Sequence, residues 1–271
     1  MIQNKKIAFL GAGNMAEALV AGIVKGKIAE PNFLLATDIS ADRLAGLQDR
    51  YQIQVGSQNL DAVLWADIIV LCVKPQMMHA VLTEVQSGLS QAQLVISVAA
   101  GFPIESIQTH IGQTIPLVRA MPNTPAVIQE GVTALAGCNG LSSEHLRVAQ
   151  SIFESVGKVV VVDESLMDAV TGLSGSGPAY IYLAIEALID GGVRVGLPRN
   201  VAHVLAVQTV VGAAKMVRET GEHPAVLKDR VTSPGGTTMA GLQQLEEGGL
   251  RAVLIQAVEA ATDRSRELGK L

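Results

Sequence analysis

Two glycine-rich turns, one near each end of the 271-residue chain, carry residue types that suit anion binding. The first reads GAGNMA over residues 11–16 and follows a short apolar run. The second reads SPGGTT over residues 233–238. Glycines let backbone amides turn toward a ligand, and the amino end of a helix favours negative charge. Together the two turns predict one site for a dinucleotide pyrophosphate and another for a small carboxylate.

The turn at residues 11–16 has the Gly-x-Gly-x-x-Ala spacing of a dinucleotide-binding loop. Gly11 permits a tight turn, Gly13 lets the backbone approach a pyrophosphate, and Ala16 lets the next helix pack closely on a sheet. A predicted strand precedes the turn and a predicted helix follows it, which is the context that the motif needs. The motif in this context predicts a dinucleotide cofactor.

The end of the second predicted strand bears on the choice of dinucleotide. Asp38 lies there, and an acidic residue at this position usually binds the ribose hydroxyls of NAD. Ser40 and Arg43 instead offer a hydroxyl and a cation for the 2′-phosphate of NADP. Asp38 could also merely cap the helix that begins near residue 41. The residues of this turn leave these three interpretations open.

Three further loops follow predicted strands, at the sheet edge where parallel α/β proteins bind ligands. They read KP at residues 74–75, AAG at residues 99–101 and MPNTP at residues 121–125. Small residues let a cofactor approach the backbone, and the two prolines of the last loop restrict its path. Each loop alone could be an ordinary turn, but three at one predicted edge favour a ligand site.

The turn at residues 233–238 combines hydroxyls with a glycine pair where a helix is predicted to begin. Backbone amides at such a helix start suit a carboxylate. The same residues could instead form a Ser/Thr cap after a Pro-Gly-Gly turn. A second Gly/Ser loop, LSGSGPAY at residues 173–180, also enters a predicted helix, where it could serve close packing only.

Short apolar runs alternate with helical stretches in the first half of the chain. This pattern predicts an α/β fold with a Rossmann-type parallel sheet that carries helices on both faces. Strands are expected at residues 6–10, 32–37, 67–73, 94–98, 117–119, 132–136 and 158–162, and helices at residues 14–25 and 41–50. We place the dinucleotide-binding domain at residues 1–162.

The second half of the chain reads as helices separated by glycine and proline, and we place an all-α dimerisation domain at residues 163–271. Helices are expected at residues 178–192, 199–220, 224–231, 237–247 and 250–268. Apolar residues lie on more than one face of these helices, so the helices need cover on several sides. A second copy of the chain would cover them, and packing against the first domain is the alternative.

The composition narrows the class of protein. Hydrophobic residues make up 49% of the chain and charged residues 17%, below the average of about 25%, which favours a large core and a homo-oligomer. The net charge of −5 argues against a nucleic-acid partner. Cys72 and Cys138 have neither disulfide nor metal-ligand spacing, so we expect buried thiols, a reducing cytoplasmic compartment and no metal site.

Two apolar stretches, at residues 179–188 and 201–217, fall short of the ~20 residues expected of a membrane span. The second also contains His203, Gln208 and Lys215. The start of the chain offers only four consecutive apolar residues before the first glycine-rich turn, too few for the core of a signal peptide. We therefore expect no membrane partner, and helices that are buried in a soluble protein.

The order and spacing of these motifs, over essentially the full chain, resemble the pyrroline-5-carboxylate reductase family. The stretches that carry the resemblance are residues 11–16, 73–75, 99–101, 121–125, 173–180, 227–229 and 233–238. The resemblance implies reduction of 1-pyrroline-5-carboxylate to L-proline, the final step of proline biosynthesis, with NADPH or NADH. It also implies a site completed across a homodimer, and dimers of this family often assemble further into decamers.

The resemblance also implies roles for individual residues. Thr238 matches the residue that hydrogen-bonds the ring nitrogen of the substrate, so it is expected to be catalytic, and NADPH is the favoured cofactor. The substrate loop is expected to contribute Ser233, Gly235, Gly236 and Thr237. The residues expected at the cofactor, from the motifs and the resemblance together, are Leu10, Gly11, Ala12, Gly13, Asn14, Met15, Asp38, Ser40, Arg43, Asn59, Cys72, Val73, Lys74, Pro75, Val98, Ala99 and Ala100.

Two other interpretations stay open at this point. A β-hydroxyacid dehydrogenase also has a Rossmann domain followed by helices, and it would use a helical lysine as acid and base, for which Lys215 is the candidate. The other interpretation is a non-catalytic NAD(P)-binding module. Neither of them gives a role to the turn at residues 233–238.

Overall fold

The structure, a computed structural model, describes residue 2, residues 4–112 and residues 114–269. Its described residues form two compact units, one within Met1–Ser176 and Glu259–Leu271 and the other within Gly177–Val258. Within the first unit, Ser265 Oγ donates a hydrogen bond to Asp168 Oδ1 at 2.7 Å, which ties the described residues after 258 to the preceding part of the unit. The division by compactness differs from the predicted boundary between residues 162 and 163, which stays a prediction.

An eight-stranded sheet forms the centre of the first unit. Its strands are β1 (Ile7–Leu10), β2 (Leu34–Thr37), β3 (Gln54–Gly56), β4 (Ile68–Leu71), β5 (Leu94–Ser97), β6 (Leu117–Met121), β7 (Gly131–Gly137) and β8 (Gly157–Val161). They lie in the order β3-β2-β1-β4-β5-β6-β7-β8. All neighbouring pairs are parallel except β6 and β7. The predicted strands are confirmed, and β3 is an additional short strand at the edge.

The antiparallel pairing of β6 and β7 departs from the predicted parallel sheet. Only residues 122–130 connect the two strands, and a 3₁₀ turn at Thr124–Ile128 occupies most of that connection. A parallel return needs a crossover of roughly a dozen residues or more. The connection is too short for such a crossover, so the chain reverses direction here.

Seven helices of the described first unit surround the sheet. They are α1 (Asn14–Lys25), α2 (Ala41–Tyr51), α3 (Asn59–Trp65), α4 (Met78–Val85), α5 (Ile104–Ile111), α6 (Ser143–Glu154) and α7 (Met167–Val170). A π-helical turn at Thr171–Gly175 follows α7. The predicted helix at residues 14–25 agrees with α1, and the one at residues 41–50 agrees with α2 to within one residue.

Alternate residues of each central strand belong to different hydrophobic cores. Ile7 and Phe9 of β1 contribute to one core, whereas Ala8 and Leu10 contribute to the other. All four side chains are fully buried. Burial of successive residues on opposite faces explains why these strands read as continuous apolar runs, and it confirms that helices cover both faces.

The second unit is helical, as predicted. Its elements are α8 (Gly177–Arg194), α9 (Arg199–Thr220), α10 (Pro224–Arg230), α11 (Thr237–Glu247) and the start of α12 (Leu250–Leu268). Helix α8 runs through the predicted stop at the glycine pair 191–192 and ends before Gly196, whose φ of +103° suits glycine. The predicted bounds of α9, α11 and α12 agree with the structure.

Helices α8 and α9 expose apolar side chains on the single chain, where the sequence predicts helices that need cover on several sides. Leu183 of α8 is 68% exposed and Val204 of α9 is 64% exposed. Helix α9 is the one helix among the described residues that is long and apolar enough to cross a membrane, so the length argument against a span is wrong for it. The apolar stretch is short, but the flanking turns extend the helix to 22 residues.

We predict that Gly157→Ala destabilises the first unit. Gly157 has a φ of +151°, and an added Cβ would lie 1.9 Å from the carbonyl oxygen of Gly131 on β7. Strain and overlap together should lower the free energy of unfolding by about 2–4 kcal/mol. Thermal or urea unfolding measures the loss. Gly56→Ala is the matched control because its added Cβ meets no atom within 4 Å. Equal stability of the two variants would contradict the prediction.

Candidate functional site

The turn after β1 is held against the end of β4. Gly11 has a φ of +98°, and an added Cβ would lie 3.0 Å from backbone atoms of Cys72 and Val73. Its N–H also donates to the carbonyl oxygen of Thr37 at 2.9 Å, at the end of β2. The turn therefore requires glycine at this position for both conformation and space, as the motif predicts.

Gly13 caps the amino end of α1 and faces open space. It has extended backbone angles, and no side chain caps the helix. An added Cβ would meet no atom within 4 Å, so packing within the described chain does not demand glycine here. The space that a side chain would fill, beside an uncapped helix start, suits a phosphate.

The residues proposed for cofactor choice come together around Ala12. The Asp38 carboxylate accepts hydrogen bonds from the N–H of Ala12 at 2.8 Å and from the N–H of Ser40 at 2.9 Å. The Arg43 guanidinium donates to the Ala12 carbonyl oxygen at 3.3 Å. Ser40, whose hydroxyl accepts from the Arg43 N–H, caps α2. The interpretation of Asp38 as the helix cap is therefore wrong, because Asp38 supports the glycine-rich turn instead.

The carboxyl ends of β1, β4 and β5 lie at one edge, because Leu10 pairs with Leu71 and Leu71 pairs with Ser97. This register brings together the loops that follow the three strands. The predicted cofactor residues at this edge, besides those described above, are Asn14, Met15, Val73, Lys74, Pro75, Val98, Ala99 and Ala100. Burial raises the pKa of the Cys72 thiol in these loops to about 12, so the thiol is neutral at pH 7.

Asn59 lies at the start of α3, beside the end of β2. The Thr37 hydroxyl donates to Asn59 Oδ1 at 2.6 Å, and Asn59 Nδ2 donates to Glu84 Oε2 at 2.9 Å. The resemblance pointed to Asn59, whereas sequence reasoning missed Glu84. Nothing in the sequence near Glu84 marks it, since its partner is 25 residues away.

Two motifs that the sequence analysis treated separately meet in the structure. Asn123, in the MPNTP loop, donates from Nδ2 to the carbonyl oxygen of Ser174 at 3.1 Å. Its Oδ1 accepts from the Val132 N–H at 2.9 Å. Ser174 lies in the π-helical turn, and such turns are frequent at functional sites. Asn123 thus joins the loop after β6, the start of β7 and the LSGSG segment.

Sequence reasoning also missed an ion pair of Arg119, in the strand that leads into the MPNTP loop. Arg119 of β6 is 5% exposed, and its Nη1 lies 3.3 Å from Glu164 Oε1. The same Glu164 oxygen accepts from the N–H of Ile104 at 2.6 Å, at the start of α5. An arginine inside an otherwise apolar strand was the available signal, because a buried guanidinium needs a partner.

The turn at residues 233–238 lies in the second compact unit, and its backbone forms the start of α11. Gly235 has a φ of +67°, and Gly236 is the helix cap with no side-chain hydrogen bond. The Gly236 N–H donates to the Ser233 carbonyl oxygen at 3.0 Å, and a Cβ on Gly236 would lie 2.3 Å from Ser233 Oγ. The Ser/Thr-cap interpretation of this turn is therefore wrong.

Thr237 and Thr238 are the first two residues of α11, and Thr238 is half-buried. Among the residues that the structure describes, no hydrogen bond engages the Thr238 hydroxyl. The predicted substrate residues therefore share one uncapped helix start, as the predicted cofactor residues of the first unit share one sheet edge. No three His, Cys, Asp or Glu side chains of the described ranges come together to hold a metal ion.

Two family models match this chain. The model for pyrroline-5-carboxylate reductase dimerisation matches residues 164–268. The model for NADP oxidoreductase, coenzyme F420-dependent, matches residues 6–101. The first covers the helical part of the chain together with the π-helical turn, and the second covers the glycine-rich turn and the first strands.

Individual relatives match over nearly the whole length. The pyrroline-5-carboxylate reductase of Methanosarcina acetivorans is 46% identical over 99% of this chain and 100% of its own length. The solved pyrroline-5-carboxylate reductase of Coxiella burnetii is 38% identical with a TM-score of 0.93, covering 99% of this chain and 100% of that one. The Plasmodium falciparum pyrroline carboxylate reductase, solved with NADP bound, is 34% identical with a TM-score of 0.90, covering 98% and 99%. The chain is an enzyme that belongs to the pyrroline-5-carboxylate reductase family.

Proposed function

We propose that this protein reduces 1-pyrroline-5-carboxylate to L-proline, the final step of proline biosynthesis, with NADPH as the hydride donor. The observation that carries the proposal is the start of α11, where the Gly236 cap makes no side-chain hydrogen bond and Thr237 and Thr238 bring helix amides and a hydroxyl. This arrangement suits a small carboxylated imine, and it occurs in a chain of the matching family. Purified protein incubated with 1-pyrroline-5-carboxylate should oxidise NADPH and form L-proline.

The residues at the edge of the first sheet fit a dinucleotide. Gly13 leaves open the space that a Cβ would fill, and the helix start beside it carries no side-chain cap. We assign the pyrophosphate to the start of α1, because the amides and the dipole of a helix start favour phosphate. Asn59 and the loops after β4 and β5 are assigned to the remaining cofactor contacts, and they keep the roles that the family resemblance implies.

The surroundings of Asp38 support NADPH over NADH. Both oxygens of the Asp38 carboxylate accept backbone N–H groups, which ties this side chain to the turn. Arg43, an exposed cation held beside Ala12, is placed to compensate the 2′-phosphate. The solved relative from Plasmodium falciparum carries NADP. We therefore assign NADPH as the preferred cofactor and NADH as a slower substitute.

The substrate turn has two tasks in the proposed reaction. The amides of the turn and of the first residues of α11 hold the substrate carboxylate, favoured by the helix dipole. The Thr238 hydroxyl hydrogen-bonds the ring nitrogen and orients the imine carbon. Bound NADPH supplies the hydride that adds to ring carbon C5. If the imine binds with its nitrogen already protonated, hydride addition gives the amine directly. If it binds unprotonated, the nitrogen takes one proton from the Thr238 hydroxyl, which recovers a proton from water.

The catalytic demand on ionisable groups is small in this proposal. Positioning alone can contribute roughly 7–11 kcal/mol toward the barrier. The Cys72 thiol is a poor acid because burial raises its pKa to about 12. A hydroxyl that orients the nitrogen, in a site that holds the substrate by its carboxylate, is sufficient for this chemistry.

The two alternative interpretations lose their support. Family membership excludes an assignment to the β-hydroxyacid dehydrogenases on sequence, and Lys215 is an exposed residue of α9. A non-catalytic module would have no need for the uncapped turn before α11. For the compartment, we propose the cytoplasm, which fits free thiols at Cys72 and Cys138.

We propose that the exposed apolar residues of α8 and α9 form a homodimer interface, with further assembly of dimers into a decamer. Residues 164–268 match a dimerisation model. A cavity of about 660 Å³ is lined by α8 and α9, including Tyr182, Leu183 and His203. Exposed apolar residues on two neighbouring helices of a single chain are typical of a protein interface.

Gly13→Val tests the cofactor assignment. The new side chain would occupy the open space beside the helix start, so NADPH binding should weaken by about 3 kcal/mol or more, over about a hundredfold in Kd. The fold should lose only the roughly 1 kcal/mol of a poorer helix cap. Fluorescence titration with NADPH and thermal unfolding separate the two effects. Gly13→Ala should give a smaller loss of affinity. If a folded Gly13→Val variant binds NADPH with the wild-type Kd, the assignment of the pyrophosphate to this position is wrong.

Thr238→Ala tests the catalytic assignment. Loss of a hydrogen bond to a group that changes charge should cost roughly 1.5–3 kcal/mol, about ten- to over a hundredfold in kcat/KM. Thr238→Ser keeps the hydroxyl and should retain much more activity. NADPH binding should stay the same in both variants. Steady-state kinetics measures kcat/KM of both variants. If the alanine and serine variants are equally active, the Thr238 hydroxyl has no catalytic role and the residue is only structural.

Leu183→Glu tests the interface. The side chain is 68% exposed on the single chain, so a charge there should leave the chain folded. Buried between two subunits, the same charge would be unpaired and should disrupt assembly and abolish activity at a composite site. Light scattering gives the mass, and Gln48→Glu on α2 is the control for added charge. An active monomer, of the variant or of the unmodified protein, would refute the interface and the composite site.

A further inference from the structure

Two histidines of neighbouring helices meet on the surface of the first unit. His79 Nδ1 of α4 lies 3.1 Å from His110 Nε2 of α5. The residues are 31 positions apart in sequence, and sequence reasoning assigned them no role. Both helices are anchored in the same hydrophobic core, α4 through Met78 and Leu82 and α5 through Ile107. The two rings are therefore brought together by rigid elements.

The hydrogen bonds around the pair determine which nitrogen carries a proton. His110 Nδ1 lies 2.9 Å from the carbonyl oxygen of Ser106, which can only accept, so Nδ1 carries the hydrogen. In the neutral ring, His110 Nε2 is then an unprotonated acceptor that faces His79. His79 donates from Nδ1, and its ring packs edge-on against Phe102 with centroids 5.1 Å apart. The two nitrogens that face each other are thus held close together before any ligand binds.

We propose that His79 and His110 form a binding site for a divalent transition-metal ion of the kind that prefers imidazole, such as Zn²⁺ or Cu²⁺. The ion takes the place of the shared proton, and neutral His79 carries its hydrogen on Nε2 instead. Nitrogens 3.1 Å apart that each lie about 2.05 Å from one ion subtend an angle of about 98°, since the sine of half that angle is 1.55/2.05. This value lies between the right angle of an octahedral site and the roughly 109° of a tetrahedral one.

The surroundings favour a metal at this position. The Ser106 carbonyl fixes the His110 tautomer, which is the contact that metal-binding histidines usually make through their other nitrogen. His110 lies in the last turn of α5, where the helix dipole favours a cation. His79 is exposed, so water can complete the coordination. With two protein ligands in the described chain, the site is open, in contrast to a closed structural zinc site.

The test uses protein without an affinity tag, freed of metal by a chelator. Titration with ZnCl₂ by calorimetry should give one ion per chain, and either His79→Asn or His110→Asn should weaken that affinity by about tenfold or more. His145→Asn, which removes a lone histidine of α6, should bind as the wild type does. With Cu²⁺, electron paramagnetic resonance should resolve coupling to two nitrogens in the wild type and to fewer in either variant.

Circular dichroism and NADPH titration of each variant establish that it is folded, independently of metal. The proposal is overturned if wild-type protein shows no saturable binding at one ion per chain. It is also overturned if the His79 and His110 variants keep wild-type affinity, or if the His145 variant loses as much as they do. None of these outcomes bears on the proposed reduction, because neither histidine is assigned to the substrate or the dinucleotide.

Discussion

The dinucleotide turn depends on one close approach between backbones. Gly11 lies so near the end of β4 that a Cβ would be 3.0 Å from the Cys72 and Val73 backbone. From the other side, the Asp38 carboxylate binds the Ala12 N–H. The turn is thus fixed by both neighbours of β1, and this constraint leaves Gly13 as a helix cap with open space beside it. A phosphate site made of backbone needs such external support, since it has no side chains of its own to order it.

The elements that sequence predicts best are those with local signals at their ends. Helix α9 begins after Pro198 and ends before Gly221, whose φ is +65°, and the predicted bounds match. Helix α11 begins directly after the Gly236 cap, as the SPGGTT turn predicts. The orientation of β7 was missed because it depends on the length of a connection rather than on the strand's residues. Strand β3 was missed because three half-exposed edge residues carry no apolar pattern.

The same distinction separates the site residues that sequence can find from those that it cannot. Loops of glycine and alanine after strands are recognisable, because a backbone site requires small residues at definite positions. Polar pairs give no such signal. Arg119 and Glu164 are 45 residues apart, and their meeting depends on how β6 and the segment before α7 pack. His79 and His110 also give no signal in the sequence. Metal-ligand motifs are recognised when their residues are close in sequence, and these two are 31 positions apart.

Helix α9 poses a choice between lipid and protein as the cover for its apolar residues. Its length and composition admit a membrane span, and most of it is exposed on the single chain. Lys215 lies within its second half and Arg218 in its last turn, however, and a span would carry the Lys215 charge into the hydrocarbon at a cost of several kcal/mol. A protein partner removes the apolar residues from water and leaves the cations a route to solvent along their flexible stems. The distribution of charge along α9 therefore favours a second copy of the chain over a membrane.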